Sequence, residues 1–222
     1  MIKGLIQKLN KTGKSQNIFD PSRLNDPLTM QIEWTPAKKG GISFRTRKLV
    51  KVSPYRVEFK ATRFALFFYS FFALAGTSLV IGYSLSKYRS NQLSFDAETV
   101  IPVVIGLVFG IAGGCLLYFG RTPIVFDKMK RCFWKGRKTP EKGLAKDISR
   151  DVIHFQDIYA IQLISEFVRS NISFYSYELN IVKKDGTRVN VIDHGSKEKL
   201  KNDAHTLSMF LNKPLWDAIP MD

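Results

Sequence analysis

Chemistry in this chain would have to rest on three histidines, two cysteines and nineteen acidic residues. None of His154, His194 and His205 stands at metal-ligand spacing from a Cys, Asp or Glu. His194 follows Asp193 and precedes Gly195-Ser196, at the end of a predicted strand and the start of a predicted helix. An anion can bind at such a helix start, and ordinary turn and cap chemistry uses the same residues. His205, one turn after Lys201, reads as a surface residue. Cys115 falls in an apolar stretch and Cys132 beyond it, so both read as free thiols in a reducing compartment. Gly113-Gly114 lies in apolar sequence and Gly40-Gly41 lacks a following Lys-Ser/Thr, so neither is a phosphate-binding loop. No Ser/His/Asp set sits in a hydrolase motif. We therefore expect no catalytic residue, no metal ligand and no cofactor, and a function that is not enzymatic.

The elements that could position these residues follow from how charge is distributed. The chain has 222 residues, 34 Lys+Arg against 19 Asp+Glu, and a net charge of +15. Phe64 to Leu85 contains no charged residue, and neither does Thr99 to Phe119. At about 1.5 Å per residue each is roughly 30 Å long, the thickness of a hydrocarbon core. A chain in lipid must satisfy its backbone internally, so both are expected to be helices. The alternative is a pair of core helices in a soluble protein, which seldom run so long without a charge.

This divides the chain into a basic arm (1–63), a first span (64–86), a short external loop (87–98), a second span (99–120) and a C-terminal domain (121–222). The arm carries 14 basic and four acidic residues, the loop two of each, and the C-terminal part 18 and 13. Basic flanks stay on the cytoplasmic side. Both termini are expected in the cytoplasm, with the spans in a bacterial inner membrane. Small residues recur every four positions, at Ser78 and Gly82 in the first span and Gly106, Gly110 and Gly114 in the second. They let helix backbones approach closely, either as a hairpin or as a seam between copies of the chain.

In the arm, Ile2, Leu5, Ile6 and Leu9 repeat with helical spacing, while Lys3 and Lys8 fall on the other side. This short amphipathic helix either lies on an anionic leaflet or docks on the protein itself. Leu28–Trp34 and Ile42–Leu49 read as short strands, and Tyr55–Lys60 as a third strand or the entry to the first span. Beyond the second span, strands are expected at Thr122–Phe126, Cys132–Trp134, Val152–Phe155, Tyr159–Ile164, Ser173–Lys183 and Arg188–Ile192. A turn at Lys184-Asp185-Gly186 joins the last two. Ser196 should cap a final helix carrying Leu200, Ala204, Leu207 and Leu211, ended by Pro214. The fold class is thus an α+β membrane protein: a two-helix hairpin plus a small antiparallel sandwich or partial barrel with a C-terminal helix.

That strand order resembles a pleckstrin-homology-like domain of the kind that follows two spans in bacterial membrane proteins. The order of parts also resembles the photosystem I assembly factor family. The echoes are Phe126-Asp127-Lys128 before Cys132-Phe133-Trp134, then Asp157-Ile158 before Ile161-Gln162-Leu163, then Met209 to Pro214. The resemblance implies a fold and an assembly or scaffolding role.

Lys128, Lys130, Arg131, Lys135, Arg137 and Lys138 follow the second span, with Phe133 and Trp134 interleaved. Basic residues beside a membrane gain about 1 kcal/mol each from an anionic leaflet. The set reads as a lipid-headgroup surface, and equally as a device that fixes topology. Nucleic acid is not expected, because the charge sits where the membrane would be. The leading functional expectation is a membrane scaffold that positions a protein partner. The alternatives are an oligomerising membrane effector of a defence or toxin system, and a module that senses anionic lipid.

Overall fold

The computed structural model describes residues 19–38, 40–92, 94, 96–140, 152–169 and 172–220. The chain forms two compact units. One is continuous, Phe44–Gln156. The other joins the segment before Phe44 to Asp157–Asp222. The residues expected as one C-terminal domain, 121–222, are therefore divided at Asp157 between two sheets.

The continuous unit opens with strands β1 (Arg47–Ser53) and β2 (Arg56–Ala61). Two long helices follow, α1 (Arg63–Arg89) and α2 (Ala97–Gly120), then β3 (Ile124–Asp127), β4 (Cys132–Lys135) and β5 (Ile153–His154). The five strands form an antiparallel sheet in chain order. Of the expected Tyr55–Lys60 stretch, Tyr55 lies in the turn and the rest belongs to a strand rather than a helical entry, and Ile42–Leu49 becomes extended only from Arg47. Because β2 pairs with β3, Phe59 opposite Ile124, the chain enters and leaves the helix pair through neighbouring strands. Val57, Phe126, Phe133 and Ile153 line one face of this sheet, with the Phe126 and Phe133 rings 4.9 Å apart. Val125, Cys132 and Trp134 cluster on the other face.

Both helices are capped where the sequence allows. Thr62 Oγ1 accepts from the Ala65 N–H, and Asp96 Oδ1 from the Thr99 N–H. Each helix is long and apolar enough to cross a membrane. They pack on each other through glycine. A Cβ on Gly76 would lie under 3.0 Å from backbone atoms of Gly106 and Gly110, and one on Gly113 equally close to the Ala73 backbone. Pro102 sits within α2 and has no N–H to give the Glu98 carbonyl four residues back. Tyr83 Oη of α1 donates to that carbonyl instead, at 2.6 Å. Tyr83→Phe is expected to cost roughly 1 kcal/mol. In a double-mutant cycle read by thermal unfolding, Pro102→Ala should restore the donor and make the Tyr83 change nearly silent.

The second unit contains β6 (Ile158–Val168), β7 (Phe174–Lys183), β8 (Arg188–His194), helix α3 (Lys197–Leu211) and β9 (Leu215–Asp217). The sheet order is β8-β7-β6-β9. Gly186 turns β7 into β8 at φ 80°. Helix α3 buries Leu200, Ala204, Leu207 and Leu211, as its spacing predicts. The strand after Pro214, which the sequence does not announce, runs parallel to β6.

The segment 19–42 packs in this same unit as a strap. Leu24, Leu28, Ile32 and Trp34 lie against Ala160, Val182 and Trp216. Leu28–Trp34 is not a strand. Pro27 fixes the first residue of a 3-10 turn over Pro27–Met30, and Asp26 accepts from the Leu28 N–H at its start. A second such turn, Pro21–Leu24, is built the same way on Asp20.

Candidate membrane-surface site

The strand-bearing end of the helix pair is rich in arginine. The C-terminus of a helix presents unpaired carbonyls and partial negative charge. The Arg47 guanidinium, reaching from β1, donates to the carbonyls of Thr122 at 2.7 Å and Phe119 at 3.3 Å. Burial pulls its pKa down from the ordinary arginine value. The Arg137 guanidinium donates to the Tyr118 carbonyl at 2.8 Å and stacks on the Tyr118 ring at 4.4 Å. Arg121 is the C-cap of α2, Arg63 the first residue of α1, and Arg45 Nε donates to the Arg47 carbonyl. The opposite end of the pair is balanced: Lys87 lies 3.9 Å from Glu98, and Asp96 is held at a pKa of about 2, chiefly by the Ser94 hydroxyl and the Thr99 N–H.

The basic run expected to act as one surface is split by the β3–β4 hairpin. Lys135 pairs opposite Ile124, next to the helix end, and Gly136 N–H bonds the Pro123 carbonyl. Arg137 and Lys138, both exposed, follow at that end. Lys128, Lys130 and Arg131 sit on the turn at the other end of four-residue strands, roughly 13 Å away. There Asp127 Oδ1 accepts from the Met129 and Lys130 N–H groups, and Arg131 adopts φ 54°. Phe133 and Trp134 are not part of any headgroup surface. They are 0% and 2% exposed, because consecutive residues of a strand covered on both faces are both core. Trp134 instead carries the Arg56 guanidinium over its ring, and Arg56 pairs with Glu58 at 2.6 Å.

The span-packing residues also divide. Gly106 and Gly110 face α1, Gly110 in ordinary contact with Thr77. Gly82 and Gly114 meet nothing within 4 Å, and Ser78 is exposed. The seam within the chain is Ala73, Gly76, Gly106, Gly110 and Gly113. Four-residue counting from Gly106 selected Gly114 rather than Gly113, because three- and four-residue steps alternate along one helix face. Ile2, Lys3, Leu5, Ile6, Lys8 and Leu9 lie outside the described residues.

His194 is buried, and its Nδ1 accepts from the Ser196 N–H at 2.9 Å, so Ser196 marks the start of α3 without a side-chain cap bond. His154 and His205 are exposed. Burial raises the pKa of the Cys132 thiol. No cluster of three or more metal-binding side chains occurs among the described residues.

Sequence reading missed a polar row on the strap-facing side of β6, β7 and β8. Glu178, 3% exposed, accepts from the N–H groups of Ala37 and Lys38 at 2.8 Å each, and from the amides of Asn180 and Asn190. Glu166 receives the Gly40 and Gly41 N–H groups at 3.4 and 3.3 Å, and Ser176 Oγ receives that of Ile42 at 2.9 Å. The alternation of Ser176, Glu178 and Asn180 along β7 signalled this row, but in sequence it reads as a solvated face.

Compared with protein-family models and with curated proteins, the sequence matches none.

Proposed function

We propose that this chain is a non-enzymatic integral membrane protein, anchored by α1 and α2, that holds its strand-built units at an anionic cytoplasmic surface to position protein partners. Both termini are assigned to the cytoplasm, in a bacterial inner membrane, with a pleckstrin-homology-like arrangement as the partner-binding part. The observation that carries this reading is the asymmetry of the helix pair. Arg45, Arg47, Arg63, Arg121, Lys135, Arg137 and Lys138 gather at one end, whereas Lys87 and Arg89 at the other are offset by Asp96 and Glu98. Basic residues are retained on the cytoplasmic side and attract anionic lipid.

Native mass spectrometry of the full-length protein from mild detergent tests the scaffold reading. A stoichiometric protein partner is expected, and a bare monomer that releases none on any mild extraction would sink it. The same spectra test the lipid surface. Reversing Lys135, Arg137 and Lys138 to Glu should remove bound anionic lipid, an effect of about 3 kcal/mol or roughly a hundredfold in retention. Reversing Lys128, Lys130 and Arg131 should leave retention nearly unchanged. Equal losses would mean that the hairpin does not sort the charges.

A second reading, an oligomerising membrane effector, draws support from Ser78, Gly82 and Gly114, small residues outside the helix–helix seam. Gly82 lies toward the loop end and Gly114 toward the strand end, so they offer two separate contact points. A discrete homo-oligomer lost on Gly82→Leu would favour it.

A further inference from the structure

Beyond the apolar contacts of Leu24, Leu28, Ile32 and Trp34, the C-terminal part of the strap is held by its backbone. Five consecutive described N–H groups, from Ala37, Lys38, Gly40, Gly41 and Ile42, are received by Glu178, Glu166 and Ser176. Little of this recognition reads side chains. The exception is Gly41: a Cβ there would lie under 3.0 Å from the Ser176 side chain, so only glycine approaches the sheet so closely. The floor is acidic. Glu166, Glu178 and Asp193 face the strap, and burial raises the Asp193 pKa while the Lys38 charge lowers it. In sequence the strap here reads Lys38-Lys39-Gly40-Gly41, two lysines before a glycine pair; its backbone bends at Ala37, Lys38 and Gly40, with Gly40 at φ 83°. The floor also holds an acceptor the strap does not use. Asn180 is 0% exposed; its Nδ2 donates to Glu178, and its Oδ1 has no hydrogen-bond partner among the described residues.

We infer that this face of β6, β7 and β8 is a peptide-binding groove for bent, basic, glycine-containing segments, with the chain's own strap as its resident occupant. The inference rests on the scaffold reading and names its recruitment surface and partner class. Carboxylates that grip backbone N–H groups accept any chain meeting three conditions: a backbone bent to present its N–H groups to them, glycine at the close approach, and positive charge beside Glu166, Glu178 and Asp193. The attachment is non-covalent, and the strap belongs to this unit only through the intervening residues 44–156. An outside segment of the same chemistry competes for identical bonds, and Asn180 Oδ1 remains available to a segment that also carries a donor side chain there.

The test uses the full-length protein in detergent. A protease site inserted between Ser43 and Phe44, both exposed, lets the strap be cut without changing its sequence. Fluorescent peptide of residues 19–43 should then exchange into the cut protein saturably. Peptides carrying Gly41→Val, or Lys38→Glu with Lys39→Glu, should bind at least tenfold more weakly. In the uncut chain, Gly41→Val dislodges the resident strap, and the wild-type peptide should bind that protein at least tenfold more tightly than wild-type protein. A cut protein that admits no peptide at millimolar concentration overturns the inference, as does one that loses its strap without binding the peptide. Equal binding of the charge-reversed peptide overturns the assigned partner chemistry. Absence of a co-purifying partner would count against the scaffold reading and leave peptide exchange unaffected, so the two failures are distinguishable.

Discussion

Gly76→Leu is expected to force α1 and α2 apart and to produce the largest loss of stability of any single change in the helix pair. The obstacle is backbone. A Cβ on Gly76 meets the Gly110 nitrogen and the Gly106 carbonyl, and neither can rotate away as a side chain would. Overpacking typically costs 1–3 kcal/mol where side chains can yield, so about 3 kcal/mol or more is expected here. Separation would also stretch the Tyr83–Glu98 bond, exposing the carbonyl that Pro102 leaves unpaired. Gly113→Leu should behave the same way against Ala73. Gly82→Leu and Gly114→Leu, where a Cβ meets nothing within 4 Å, should leave hairpin stability within about 0.5 kcal/mol. Thermal unfolding in detergent, with protease sensitivity of the loop between the helices, reads the difference. If all four variants melt alike, the close seam is wrong. The contrast also separates the two functional readings, because a Gly82 or Gly114 phenotype with an intact hairpin must come from contacts outside the chain.

Glu178→Ala is expected to release the strap. The carboxylate collects four donors: two strap N–H groups and the amides of Asn180 and Asn190. A buried donor that loses its acceptor costs roughly 1–3 kcal/mol. The strap can lift into water and recover two of these bonds, so the costs do not add fully, and about 3 kcal/mol is expected. That corresponds to a fall of roughly 6–12 °C in the transition reported by Trp34 and Trp216, whose rings are 6.1 Å apart. Loss of protection at Ala37 and Lys38 in hydrogen exchange should accompany it. A shift under about 2 °C would mean the apolar contacts of Leu24, Leu28 and Ile32 hold the strap without the carboxylate.

The neighbouring Asp193 should act in the opposite direction. Its pKa is raised, first by burial and further by the Glu178 charge, against the Asn190 hydrogen bond that lowers it. The folded state therefore binds a proton more readily than the unfolded chain. The resulting penalty is absent below the unfolded-state pKa and grows as pH rises through the carboxylate range. Asp193→Asn should thus raise stability at neutral pH and have little effect in acid, as a thermal-melt series across pH would read.

The helix pair was legible because Phe64–Leu85 and Thr99–Phe119 are two uninterrupted apolar runs, each long and apolar enough to cross a membrane. Helix α3 and the Gly186 turn were legible for the same local reason: period and backbone conformation belong to short stretches of chain. Charge asymmetry about the two apolar runs was also a property of sequence alone. Which basic residues share a surface was not. Strand pairing put Lys135 beside the end of α2 and carried Lys128, Lys130 and Arg131 to the far turn, while Phe133 and Trp134 became core because both faces of their strand are covered. Tertiary structure alone selected Gly76 and Gly113 over Gly82 and Gly114, since a seam is chosen by the partner helix. It alone set the stretch between the two expected strands Leu28–Trp34 and Ile42–Leu49 against the polar row of β6, β7 and β8. The bonds there join Glu178 to Ala37 across more than a hundred positions of sequence, and no local pattern records a pairing that only the closed chain brings together.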